Sequence, residues 1–402
     1  MMFTIFRIVL GVFLVVLLSL KTGAAESETP AKNATLVYVG TFTDTPAKSR
    51  GIYLFRLRDE GSEFATLVPL GLAAETKNPS FLTLDAKRRL LFCVNEINSF
   101  NGKSSGAVSA FSIDPETGKL KFINQRASMG AGPCQVALDK TGRNLLVANY
   151  AGGSAAVLPV GVDGQLGEAT SVVQDSGKGP NAARQEGPHA HCVTLSPDNR
   201  FAFLCDLGID KVMTFKFDAE HGKLIPNDPA FVQVAPGSGP RHLVFHPNGK
   251  FAYLVNELAS TIITFSYDSK TGGLRELQTV SSLSDSFHGT NKAAEIAVAD
   301  SGKFLFASNR GENTVASFAI DPKKGTLTRV GEEKSGGKTP RQFGILPSGK
   351  YLAVCNQDSD TVLVCRVDGA NGKLTPCPTL NQAPSPVCAV FLPSPGREQE
   401  PK

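Results

Sequence analysis

The stretch Ser238 to Phe265, SGPRHLVFHPNGKFAYLVNELASTIITF, decides the fold. Leu243 to Phe245 is a short apolar run. Pro247-Asn248-Gly249-Lys250 follows as a turn, with the glycine supplying a positive φ. Phe251 to Val255 is a second apolar run, and Asn256-Glu257-Leu258-Ala259-Ser260 a polar turn. Thr261 to Phe265 is rich in β-branched residues and closes an up-down-up unit of three strands. Such a unit has two faces to bury and needs neighbours.

Working outward, copies run the length of the chain. The proline opening the unit recurs in Asn78-Pro79-Ser80, Gly132-Pro133-Cys134, Gly239-Pro240-Arg241, Thr339-Pro340-Arg341 and Ser385-Pro386-Val387. Ala190-His191 and Ala293-Ala294 hold the same place without it. The polar residue ending the second strand recurs as Asn95, Asn149, Asp206, Asn256, Asn309 and Asn356, at intervals of 47 to 57 residues. A turn before the outermost strand repeats as DPETGKL from Asp114, DAEHGKL from Asp218, DSKTGGL from Asp268, DPKKGTL from Asp321 and DGANGKL from Asp368. This period is that of a four-stranded propeller blade. First strands near Phe81, Gln135, Cys192, Leu243, Glu295, Gln342 and Cys388 predict an all-β, seven-bladed propeller over residues 34–393. Leu36–Thr41, Gly51–Leu57 and Thr66–Leu70 read as second, third and fourth strands lacking a first. Val387–Leu392 is an orphan first strand, so the ring should close with one C-terminal and three N-terminal strands.

Outside the repeats, residues 1–25 carry Arg7, an apolar run from Ile8 to Leu20 and small residues Gly23-Ala24-Ala25. They read as a secretory signal peptide, and export to the periplasm or exterior is expected. The run is short for a membrane span. Residues 26–33 are a polar linker and 394–402 a polar tail expected to be disordered. The chain lacks Trp, which separates it from ordinary WD repeats, and its 39 Gly and 25 Pro suit turns between short strands. A net charge of +4 and no basic run interleaved with aromatics make nucleic acid a poor partner. The sequence does not give the oligomeric state, and a monomer is expected. The 8 Cys sit mostly inside apolar strands and read as small buried hydrophobes, with Cys365 and Cys377 the pair to consider first for a bridge. No Cys/His spacing suits a metal, and no cofactor is implied.

The topology also makes a statement about chemistry. In every blade the start of strand one and the end of strand two meet at one mouth of the central channel. Those positions carry His189, His191 and Asp206 in the third unit, and Arg241, His242 and Glu257 in the fourth. They carry Glu295 and Arg310 in the fifth, and Arg341 and Gln357 in the sixth. The connections Gln174–Pro188, with Lys178 and Arg184, and Ser281–Lys292, with His288, should overhang the same mouth. His246 belongs to the opposite end of its strand and His221 to a surface turn. The repeat itself explains Asn95, Asn149, Asn356 and Asp206 as structural.

The segments PHAHCVTLSPD, GPRHLVFHPNGKFAYLVNE, AAEIAVADSGKFLFASNRG and NPSFLTLD…LFCVNE resemble the lactonase family of seven-bladed propellers. That family includes a bacterial type of 6-phosphogluconolactonase and the fungal carboxy-cis,cis-muconate lactonizing enzyme. The resemblance spans Leu36 to Pro393 and implies a metal-independent site of His, Arg and Glu. His191 or His189 stands in its His segment, Arg241 in its PRH segment, Glu257 in its NE segment and Arg310 in its NR segment. The export signal is a departure, because a phosphorylated sugar lactone of central metabolism is a cytoplasmic compound. Lactone opening develops charge on the carbonyl oxygen, which guanidinium groups stabilise, while Glu or His activates water. The expected catalytic set is therefore Glu257 or His191 as base with Arg241 and Arg310 as anion clamps. His189, His242, Glu295 and Arg341 are expected to bind substrate. Two other readings remain: an exported propeller that only binds a partner or carbohydrate, and a muconate cycloisomerase.

Overall fold

The computed structural model describes residues 35–393 except 45, 47 and 60–63. The expected signal peptide, linker and tail lie outside the described residues. Twenty-eight strands form seven antiparallel sheets of four, and the only helix among the described residues is the short 3-10 turn Gln357–Ser359. Six sheets run in chain order, as in the fourth blade: Pro240–Phe245, Phe251–Asn256, Thr261–Asp268 and Gly273–Ser281. The seventh is composite. Pro386–Leu392 pairs with Thr35–Thr41, followed by Gly51–Arg58 and Thr66–Glu75, in a register that sets Leu36 against Leu392 and Val39 against Ala389. The predicted closure is the observed one, and it removes the free inner edges that an open ring would present.

The continuous apolar second strands have a simple cause. Each is buried on both faces because a blade stands on either side of it. Alternate residues of Phe251–Asn256 enter different cores. Phe251, Tyr253 and Val255 pack toward the fifth blade, and Ala252 and Leu254 toward the third. Seven such clusters exist, one between each pair of neighbouring blades. The DPETGKL-type turns lock the rim. Gly325 has φ +72, and an added Cβ would lie 2.5 Å from the Phe251 ring, so this turn needs glycine on both counts. Tyr253 Oη donates to the Gly325 carbonyl at 2.9 Å, and Tyr38 makes the same bond to Gly118 at 2.8 Å.

One hydrogen bond recurs in each blade where the second strand ends. The residue after the polar position donates its N–H to a carbonyl eighteen residues earlier: Glu96 to Asn78, Tyr150 to Gly132, Leu207 to His189, Glu257 to Gly239, Arg310 to Lys292 and Gln357 to Thr339. In the composite blade Phe42 donates to Ser385. These bonds align the seven mouths position by position. The Asn residues that the repeat explained as structural bridge to the preceding connection: Asn149 Nδ2 donates to the Ser128 carbonyl at 2.9 Å and Asn356 Nδ2 to that of Ser335 at 2.7 Å. Asp206 accepts the backbone N–H of His189 and of Gly208. All eight thiols are free and buried. The bridge considered for Cys365 and Cys377 is absent, since Cys365 faces Pro376 across the sheet and both thiols pack into cores.

Candidate active site

The side chains at the mouth owe their direction to a bulge. In the second, third, fourth and sixth blades the inner strand slips register by one residue at its start, and the extra residue is Cys134, His191, Arg241 or Arg341. In the fifth blade the irregularity spans Ala294 and Glu295. A bulge re-aims the side chain that simple alternation would send into the sheet. The next residue along, His242 in the fourth blade, faces the channel one level deeper.

Glu257 is the centre of the mouth. It is 2 % exposed. Arg184 Nη2 lies 2.6 Å from its Oε1, while Arg310 Nη2 at 2.7 Å and Arg241 Nε at 3.1 Å engage Oε2. His191 Nε2 stands 3.8 Å from Oε2. Burial alone would favour the neutral acid, but Arg310, Arg241, His191 and Arg184 win and hold the carboxyl well below the ordinary range. Burial first, then Arg241 and His242, push His191 well below 6.5, so the imidazole is neutral. Burial also lowers Arg310, to about 10, against the pull of Glu257.

A second layer supports the first. Arg241 Nη1 donates to the Ala294 carbonyl at 2.7 Å and lies 3.3 Å from His242 Nε2. His242 Nδ1 is 3.0 Å from Glu295 Oε1. Arg341 sits over the Phe42 ring, 5.2 Å from its centroid, with no carboxylate in salt-bridge range among the described residues. The His191 and His242 rings meet edge to face at 5.3 Å, and Phe81 of the first blade meets His242 at 5.9 Å. Phe81, His242 and His191 thus make a continuous row of ring contacts at the channel mouth, the cup, beside the cluster of Arg184, Arg241 and Arg310 around Glu257.

Glu257, His191, Arg241 and Arg310 are therefore brought together, with His242 and Glu295 behind them and Arg341 at the rim. His189 stands beside the cluster, stacked on Tyr150 at 4.5 Å with its Nε2 3.1 Å from Glu186 Oε1. Of the two overhanging connections, 174–188 delivers Arg184, whereas Lys178 and His288 are exposed. His246 is buried at the other end of its strand, with Nε2 2.9 Å from the Gly302 carbonyl. Sequence reasoning missed Tyr150, whose hydroxyl accepts from Arg184 Nη2 at 3.2 Å and whose ring meets His191 edge to face. The signal was present: Tyr150 follows Asn149 as Glu257 follows Asn256. Among the described residues no group of three or more His, Cys, Asp or Glu converges as a metal ion requires. Chemically the cup can hold an anion, stabilise a developing oxyanion and pass a proton through neutral His191.

Residues 36–391 match the family model described as Lactonase, 7-bladed beta-propeller. The chain is 34 % identical over 355 residues to the 6-phosphogluconolactonase of Bacillus subtilis strain 168, covering 88 % of this chain and 97 % of that protein. It is 34 % identical over 314 residues to a 6-phosphogluconolactonase of Formosa agariphila, covering 76 % and 85 %. Among solved structures, the periplasmic gluconolactonase of Pseudomonas aeruginosa superimposes with a TM-score of 0.82 at 36 % identity, covering 90 % of this chain and all of that one.

Proposed function

The chain belongs to the lactonase family of seven-bladed β-propellers, and on that premise we propose that this lactone hydrolase opens a sugar lactone carrying an anionic group, phosphate or carboxylate. The observation that carries the substrate class is the charge of the cup. Three guanidinium groups surround one carboxylate, and Arg341 has no carboxylate partner among the described residues. A partly buried excess of positive charge is costly unless a ligand supplies the counter-charge.

In this reading Arg241 and Arg310 stabilise the carbonyl oxygen as it becomes an oxyanion, and Arg341 grips the distal anion. Protonating Glu257 would surrender three ion pairs, so of the two candidate bases it is the worse suited; it orients the arginines instead. Neutral His191 relays a proton toward the ring oxygen as the ring C–O bond breaks. The apolar run at residues 8–20 supports export, and the likeness to a periplasmic gluconolactonase agrees with it. No helix among the described residues is long and apolar enough to cross a membrane. The intact mass of the native protein, expected to start near Glu26, checks that part.

The test is ring opening across a panel of one neutral aldonolactone, its 6-phosphate and an aldarate lactone. A charge-assisted bond contributes about 1.5–3 kcal/mol, so kcat/KM for the anionic lactones should exceed that for the neutral one by about tenfold or more. Equal rates on neutral and anionic lactones would remove the charge requirement. Failure to open any lactone would leave a binding platform.

A further inference from the structure

The seven-fold alignment of the mouth sets a second carboxylate opposite the first. Glu96 follows Asn95 as Glu257 follows Asn256, and both donate their N–H to a carbonyl eighteen residues back. The side-chain partners correspond as well. Glu257 engages Arg241, sixteen residues earlier, and Glu96 engages Ser80, also sixteen residues earlier. Glu96 is thus the Glu257 of the first blade, with serine where the fourth blade has arginine. Blades one and four are three steps apart, as far as a ring of seven allows.

The two carboxylates differ in surroundings. Glu257 is buried under three guanidinium groups. Glu96 is partly exposed and has no basic partner among the described residues, while the Ser80 hydroxyl donates to its Oε2. The channel between them is narrow. Phe81 and His242, each one residue beyond these partners, touch at 5.9 Å in that row of rings. On the way round, the Cys134 thiol is raised by burial and then by the Glu96 charge, and its Sγ lies 3.7 Å from His191 Nδ1. A substrate seated on the Phe81–His242 contact would have guanidinium groups on one side and the Glu96 carboxylate on the other.

We propose that Glu96 is the catalytic base that activates the hydrolytic water, facing the oxyanion-stabilising arginines across the cup. This rests on the lactonase reading of the site. Glu96 takes one proton from water as the water oxygen bonds to the lactone carbonyl carbon, and the carbonyl electron pair moves onto the oxygen held by Arg241 and Arg310. The pair then returns, the ring C–O bond breaks, and the alkoxide oxygen recovers the proton through His191. Glu96 is again a carboxylate, and the product is the hydroxy acid. Two chemically identical carboxylates are given different roles by their surroundings, one ionised and clamped, the other open to water.

The experiment measures steady-state ring opening of the best anionic lactone by the full mature protein, with circular dichroism as folding control. Glu96→Gln keeps the shape and the Ser80 contact but cannot take a proton. It should lower kcat by about 10²–10⁴-fold, the range for losing a general base, with KM changed less than about threefold. Glu96→Ala should regain part of its rate with added sodium formate, which brings a carboxylate into the vacated space, while Arg241→Ala should not respond. Glu96→Asp, retaining a carboxylate, covers the case in which the neutral variants fold poorly, and it should exceed Glu96→Gln in rate. A Glu96→Gln enzyme with wild-type kcat, or a Glu96→Ala enzyme indifferent to formate, overturns the assignment while leaving the lactonase reading intact. A wild type that opens no lactone overturns both.

Discussion

At the scale of single residues, Glu257 matters less as a proton acceptor than as a counter-ion. Arg241 is 3 % exposed and pays for its burial largely through this carboxylate. Replacing one member of a buried ion cluster leaves uncompensated charge, a cost of about 3–5 kcal/mol. Glu257→Gln should therefore fold but lose stability on that scale, read as a lower urea midpoint at unchanged slope. A midpoint equal to wild type would mean that Arg241 and Arg310 find other counter-charges. The role was only half legible in the sequence. The spacing from Arg241 to Glu257 put both at one mouth, but nothing in it indicated that Arg184 and Arg310 would converge on the same carboxylate. Tyr150 and Glu96 were hidden for a different reason: each looked like an ordinary turn residue until all seven blades were aligned on one hydrogen bond.

At the scale of elements, the connection 174–188 brings Arg184 to the cup because Gln185 is fully buried. Its Nε2 donates to the Leu207 carbonyl at 2.9 Å and to Asp210 Oδ1 at 2.8 Å. Such an anchor is a tertiary contact without periodicity, so the sequence showed the connection and not its course. The root of the connection carries a pH-dependent element. Asp175 lies against Asp206, both buried, and burial followed by the Asp206 charge pushes Asp175 up to about 8, with Lys211 opposing. An unfolded Asp ionises near pH 4. Between those values the unfolded chain has released a proton that the folded pair retains, so folding stability falls as pH rises from about 4 and levels off above about 8. Asp175→Asn keeps a donor toward Asp206 and cannot ionise. Its melting temperature should exceed that of wild type at pH 8–9 and approach it toward pH 4. A difference that stays constant or shrinks with rising pH would contradict the raised ionisation of Asp175.

At the scale of the whole molecule, the blade count and ring closure were readable because the repeat writes the same strand pattern along the chain and leaves one orphan strand at the C-terminal end. The bulges were not readable, since a one-residue slip leaves no mark in apolar periodicity, yet they turn His191, Arg241 and Arg341 toward the channel. The central claim is that one mouth of the ring performs the chemistry and the other end of the same strands does not. Pro240–Phe245 offers a direct comparison, with Arg241 at the mouth and His246 just past the opposite end. The measurement is kcat/KM for ring opening of the best anionic lactone by wild type, Arg241→Ala and His246→Gln, each checked for native circular dichroism. Arg241→Ala should lose about 2.7–4 kcal/mol of transition-state stabilisation, on the order of 10²–10³-fold, while His246→Gln stays within about threefold of wild type. An Arg241→Ala enzyme as active as wild type, or a His246→Gln enzyme as impaired as Arg241→Ala, would contradict the account.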